Sequence, residues 1–224
     1  MIDLPLLLHP PQVNSDEGFV VKLKEKFSIA LNNQSITPRE NDELWSGIFK
    51  AHNSPSRAYH NLSHLYSITE IFDQFQPNDV NRHLFYWITF FHDYIYKAVR
   101  KDNEAASATF AKQILAPLLP QDQVEMITTI IRSTARHLPL IDVAEQFFFL
   151  DADLAILAAK EELYNTYTQA IRQEYRIYPD LLYRPGRKKV LAHFLDRENI
   201  YYTTTFKAYE DQARANLQRE WNNL

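Results

Sequence analysis

Residues 84–96 read LFYWITFFHDYIY. Placed on a helix, this run is apolar nearly all round, so a helix over residues 81–96 belongs inside a core and not on its surface. The run ends on His92 and Asp93. A second apolar run, FFFLDADLAIL over residues 147–157, is broken by Asp151 and Asp153. Aspartate is rarely buried unless paired, because an unpaired carboxylate in apolar surroundings costs at least several kcal/mol or takes up a proton. Something cationic is therefore expected to meet these acids, either an arginine or a divalent metal.

The flanks carry the helical pattern outward. Residues 17–31 form a first amphipathic stretch. Thr37-Pro38-Arg39-Glu40 is a capping box: the threonine accepts from an orphan backbone N–H, proline fits the first turn, and the glutamate reaches back. Leu65, Ile68, Ile71, Phe72 and Phe75 then follow at helical spacing until Pro77. Further helices are expected over 103–118, 124–134, 147–158, 161–178, 188–195 and 204–221, and residues 1–15 read as an irregular arm. The chain has only three glycines, Gly18, Gly47 and Gly186, too few for the turns of a β-rich protein of 224 residues. The expected architecture is one all-α domain over residues 1–224.

Composition narrows the function. Cysteine is absent, which removes disulfides and thiolate metal sites and fits a reducing compartment. A net charge of −4 gives no reason to expect a nucleic-acid polymer as partner. Arg184, Arg187, Lys188 and Lys189 read as a solvated helix start or a local basic pocket. The N-terminal segment lacks a basic region and is interrupted by Pro5 and Pro10, unlike a signal peptide. The longest apolar run, residues 84–91, is too short for a bilayer. The expectation is a soluble, cytoplasmic protein with no membrane partner.

Histidines sharpen the buried-charge argument. The segment 57–64, RAYHNLSH, spaces His60 and His64 by one helical turn. A zincin would need His-Glu-x-x-His, but Asn61 follows His60 and leaves no base in the motif. No Gly-x-Ser-x-Gly and no phosphate-binding glycine loop can be built from the three glycines. Asp151 and Asp153 lie two apart, so on a helix they point roughly 200° away from each other, and periodicity does not choose between them.

The order His64, His92-Asp93, Asp153 resembles the HD-domain superfamily of metal-dependent phosphohydrolases, and more closely a bacterial group known only as predicted members of it. The segments carrying the resemblance are RAYHNLSH, FFHDYIY, DNEAAS, STARH, LDADLAIL, AIRQEY and PGRKKVL, between Arg57 and Leu191. It implies an HD-type helical bundle whose ligands His64, His92, Asp93 and Asp153 face one cavity. One divalent transition metal is implied; two imidazoles and two carboxylates suit Mn, Fe, Co, Ni or Zn better than Ca. Asp153 matches the family's terminal aspartate, leaving Asp151 to cap or support.

Many relatives place an acid shortly after the doublet for proton transfer, whereas here Tyr94, Ile95, Tyr96 and Lys97 follow. Glu104 is the candidate acid or base beside Asp93, although a helix-start position accounts for it equally well. Arg57, His60, Asn61, His137, Arg172 and Arg187 are candidates for binding substrate phosphate; for Arg172 and Arg187 a salt bridge is the plain alternative. His137 could instead ligate a second metal. The implied activity is hydrolysis of a phosphate ester or anhydride of a nucleotide or related small molecule. The alternatives are a non-catalytic metal-dependent ligand-binding protein and a di-iron oxygenase on the same fold.

Overall fold

The computed structural model describes residues 17–31 and 36–224, so the expected arm over 1–15 lies outside the described residues. Those residues are all-helical, without a strand. In order they form α1 (Glu17–Ala30), α2 (Pro38–His52), α3 (Leu62–Phe75), α4 (Arg82–Phe91), α5 (Asn103–Leu115) and α6 (Gln121–Ser133). After these come α7 (Ala144–Asp153), a 3-10 turn (Ala155–Ala158), α8 (Glu161–Glu174), α9 (Asp180–Leu195), α10 (Thr204–Lys207) and α11 (Glu210–Asn223).

Helix α4 is the hub. It begins where the Asn81 side chain accepts from the His83 and Leu84 N–H groups. It packs against α1, α3, α5, α6 and α7, which accounts for an apolar sequence on all its sides. Phe85, Tyr86, Trp87, Ile88 and Phe90 are fully buried, and each such side chain contributes about 1.5–3 kcal/mol relative to exposure. The Thr37 capping box forms, with Glu40 N–H on the threonine oxygen and the Glu40 carboxylate on the Thr37 N–H. No helix among the described residues is long and apolar enough to cross a membrane.

Three elements depart from expectation. Helix α4 stops at Phe91 instead of running to residue 96, because a side chain satisfies the carbonyls beyond it. Arg57 Nη1 donates to Asp93 O at 2.7 Å and Nη2 to Tyr94 O at 2.9 Å. Helix α9 starts at Asp180, before residue 188, and contains Pro185. The carbonyl that Pro185 leaves without a donor is that of Leu181, a residue 84% exposed, where water can serve. The stretch 204–221 divides into α10 and α11, with the Glu210 carboxylate turned back to accept from the Ile200 and Tyr201 N–H groups.

The two aspartates of α7 separate as the helical angle requires. Asp151 turns toward the segment before α10, where it accepts from the Tyr202 N–H at 2.8 Å, the Thr203 N–H at 2.7 Å and the Thr203 hydroxyl at 2.6 Å. Asp153 turns the other way, into the bundle. Burial pushes the Asp151 carboxyl up to about 7 despite these donors; Asp151→Ala should still lower stability by roughly 3 kcal/mol, since two backbone N–H groups lose their partner at about 1–3 kcal/mol each. At roughly 2–4 °C per kcal/mol, the melting temperature should fall by about 6–12 °C. A variant melting with the wild type in calorimetry would mean that Asp151 does not anchor this segment.

Candidate metal centre and cavity

Three helices or their ends deliver the polar cluster. His64 is the third residue of α3, whose start is fixed by Asn61: its Oδ1 accepts from the Ser63 N–H at 2.8 Å. His92 and Asp93 follow the last turn of α4, and Asp153 is the last residue of α7. His64 Nε2 lies 3.2 Å from His92 Nε2 and 3.1 Å from Asp153 Oδ1, and His92 Nε2 lies 3.8 Å from the same oxygen. Asp93 Oδ2 stands at the edge of this group, 3.2 Å from His92 Nε2 and 4.0 Å from His64 Nε2.

These separations suit a shared ion. Bonds of about 2.1 Å place neighbouring donors about 3.0 Å apart and opposite donors about 4.2 Å apart. The tight set that could hold an ion is His64, His92 and Asp153, with Asp93 beside it. The imidazoles are set for this task. His92 Nδ1 donates to Thr89 O at 2.8 Å, which turns Nε2 toward the cluster, the usual arrangement behind a metal-ligating histidine.

The electrostatics show what the cluster lacks. Burial pulls the His92 pKa down, but Asp93 and Asp153 beside it prevail and raise it to about 9. Burial disfavours the charged forms of Asp93 and Asp153 as well, yet the histidines hold both carboxyls below the usual range. His64, with less carboxylate support, is lowered by burial. The group thus concentrates negative charge and draws in whatever cation is at hand, a proton included.

Three of these side chains, His92, Asp93 and Asp153, line a cavity of about 850 Å³. Its wall includes His60, Glu104, His137 and Arg187 among the residues singled out in the sequence. Glu104 reaches it from the first turn of α5. Arg187 borders it with a neutralised charge, bonding Glu220 at 2.7 and 3.0 Å and the Tyr167 hydroxyl at 3.2 Å. The remaining three candidates do other work. Arg57 clamps the carbonyls after α4, and Asn61 caps α3. Arg172 ties the end of α8 to the start of α9 through Asp180 and the carbonyls of Tyr175 and Tyr178, away from the cavity wall.

Glu174 is the residue that sequence reasoning missed. Its side chain is fully buried. Oε1 accepts from the Tyr59 and His60 N–H groups at 2.8 and 2.9 Å, and Oε2 accepts from His60 Nδ1 at 2.7 Å and the Tyr96 hydroxyl at 2.6 Å. Burial opposes its ionisation, but His60 and the other donors prevail and bring its pKa to about 2. His60 is pulled down by burial and raised more by Glu174 and Asp93. Its Nε2 faces the cavity, 4.0 Å from Asp93 Oδ2. A signal was present: Tyr164, Tyr167, Ile171 and Glu174 are spaced 3, 4 and 3, which puts a carboxylate on the buried stripe of α8.

Three further cations stand on the wall: Lys189, from the basic run read as a helix start or a local pocket, and Lys101 and Arg136, which the sequence reading did not single out. None makes an ion pair or side-chain hydrogen bond with another described residue. Against this geometry stand the comparisons with known proteins: no family model, no curated protein and no solved structure matches the chain.

Proposed function

We propose that this protein is a cytoplasmic, metal-dependent phosphohydrolase acting on a phosphate ester or anhydride of a small molecule, with one divalent transition metal held by His64, His92, Asp93 and Asp153. The observation that carries this reading is the convergence of two imidazole nitrogens and a carboxylate oxygen within 3.1–3.8 Å, nearly shielded from water, beside a cavity. The chemistry such an ion supplies is Lewis acidity toward a phosphoryl oxygen and toward water.

The chain's own groups complete the site. Lys101, Arg136 and Lys189 present positive charge to an entering phosphate. Glu174 holds the Nδ1 proton of His60, so that proton traffic is confined to Nε2, beside Asp93. This pair fills the role for which Glu104 was the candidate from the sequence; Glu104 lies on the same wall without a comparable partner. The Tyr59 and Tyr96 rings pack against His60 and limit water around it.

Purified protein should carry about one Mn²⁺, Fe²⁺ or neighbouring ion per chain, and His92→Ala or Asp93→Ala should abolish uptake. Chelator should lower the melting temperature by about 5–10 °C, since a ligand at a hundredfold excess over Kd adds roughly 2.7 kcal/mol. Ion uptake must expel the His92 proton, held with a pKa of about 9. Affinity should therefore rise with pH through the neutral range, roughly tenfold per unit. Elemental analysis showing full occupancy in both variants, or an affinity flat with pH, would count against these ligands.

Activity is tested by phosphate release over a panel of nucleotides and sugar phosphates with Mn²⁺ supplied. Turnover of at least one class is expected, and Glu174→Gln should lower kcat by roughly 10²-fold while leaving metal content unchanged. Metal uptake without phosphate release would favour a non-catalytic ligand-binding protein. Two irons per chain with oxygen consumption would favour the oxygenase.

A further inference from the structure

His137 occupies a backbone position that side chains avoid. Its φ is 48°, and Gln76 is the only other described non-glycine residue with positive φ. The position follows from how α6 ends. The Leu138 N–H reaches back to Ser133 O at 3.3 Å, the long bond of a Schellman-type stop, and the residue before the one making that bond is left-handed. Glycine usually stands there, because any Cβ is strained. Gln76 shows that this chain tolerates such strain elsewhere, so the backbone angle alone carries no meaning. What distinguishes His137 is where the conformation sends its ring.

The loop is pinned from behind. Arg197 Nη1 and the Tyr202 hydroxyl both donate to His137 O, at 3.0 and 2.9 Å, and Arg197 Nη2 donates to Arg136 O. The ring rests against Phe194, with centroids 5.8 Å apart. Held this way, Nε2 lies 3.0 Å from Asp153 Oδ2. The other oxygen of that carboxylate, Oδ1, is the one facing His64 and His92. Asp153 ends its helix beside a 3-10 turn, and among the described residues His137 is the sole hydrogen-bond partner of Oδ2.

We propose that His137 is a positioning residue: its left-handed backbone aims an Nε2–H donor at Asp153 Oδ2 and so presents Oδ1 to the metal. This rests on the metal reading above and adds to it a role outside the ligand set. A histidine at a position that suits glycine follows if the donor, and not the turn, is what is required there. Outer partners of this kind typically change metal affinity by about 10–100-fold.

The test is Mn²⁺ titration of the full-length protein and its variants, with melting followed in parallel. His137→Gly suits the left-handed backbone and removes the donor. Its metal-free form should melt within about 2 °C of the wild type or above it, while its Mn²⁺ dissociation constant rises by about 10–100-fold. His137→Asn also tolerates the backbone but is too short to reach Asp153, so it should match His137→Gly. His137→Gln places an amide N–H near the position of Nε2 and should recover affinity to within about fivefold of wild type, a change expected of a donor and not of a ligand. Should one variant fail to fold, the other two decide. Equal Mn²⁺ affinity in wild type and His137→Gly or His137→Asn overturns the proposal. So does His137→Gln binding as weakly as His137→Asn, or a second Mn²⁺ per chain that depends on His137. A wild type that takes up no Mn²⁺ overturns the metal reading and this inference with it, which sets that failure apart from the others.

Discussion

Asp93 and Asp153 aim two carboxylates at the same pair of imidazole nitrogens, in a place where their side chains are only 12% and 10% exposed. Bringing ionised carboxylates out of water costs several kcal/mol each unless a cation meets them at close range. No arginine does so: Arg57, the nearest guanidinium, spends its donors on main-chain carbonyls. The histidines must supply the charge themselves, by holding a proton, or share it with an ion. The remaining architecture can be understood as the scaffold that keeps this arrangement in place.

That scaffold works by ending helices where donors are needed. Helix α4 halts one residue before His92, leaving the doublet at its tip, and Arg57 supplies the donors that the next turn would have made. Helix α7 stops at Asp153. Helix α3 starts two residues before His64, under the Asn61 cap. A continuous α4 through residue 96 would carry Tyr94 through Tyr96 away from Arg57. The cavity wall depends on a similar exchange, with the fully buried Glu174 carboxylate accepting from the backbone N–H groups of Tyr59 and His60.

How far the sequence revealed this depends on the range of each interaction. The all-helical fold was legible because an apolar helix such as LFYWITFF announces itself through periodicity. The separation of Asp151 from Asp153 was legible as an angle, and the assignment of Asp153 to the cavity came from a family resemblance that no comparison supports. The roles of Arg57 and His60 were not legible, whereas the salt bridge weighed for Arg172 is the one it makes, to Asp180. His60 precedes α3 instead of lying on it, and its partner Glu174 is 114 residues away. Arg57 serves carbonyls 36 and 37 residues on. A guanidinium read as a phosphate ligand looks the same in sequence as one that terminates a helix. His137 combines a local turn with a contact to Asp153, 16 residues on, and with histidine in place of glycine neither was marked in the sequence.

The central claim is that the four side chains converge on one ion, and anomalous diffraction from crystals grown with Mn²⁺ addresses it most directly. The account predicts a single peak per chain, about 2.0–2.3 Å from His64 Nε2, His92 Nε2, an Asp93 oxygen and Asp153 Oδ1. An anomalous map with no peak between these residues at saturating Mn²⁺, or with its peak elsewhere in the cavity, would contradict it.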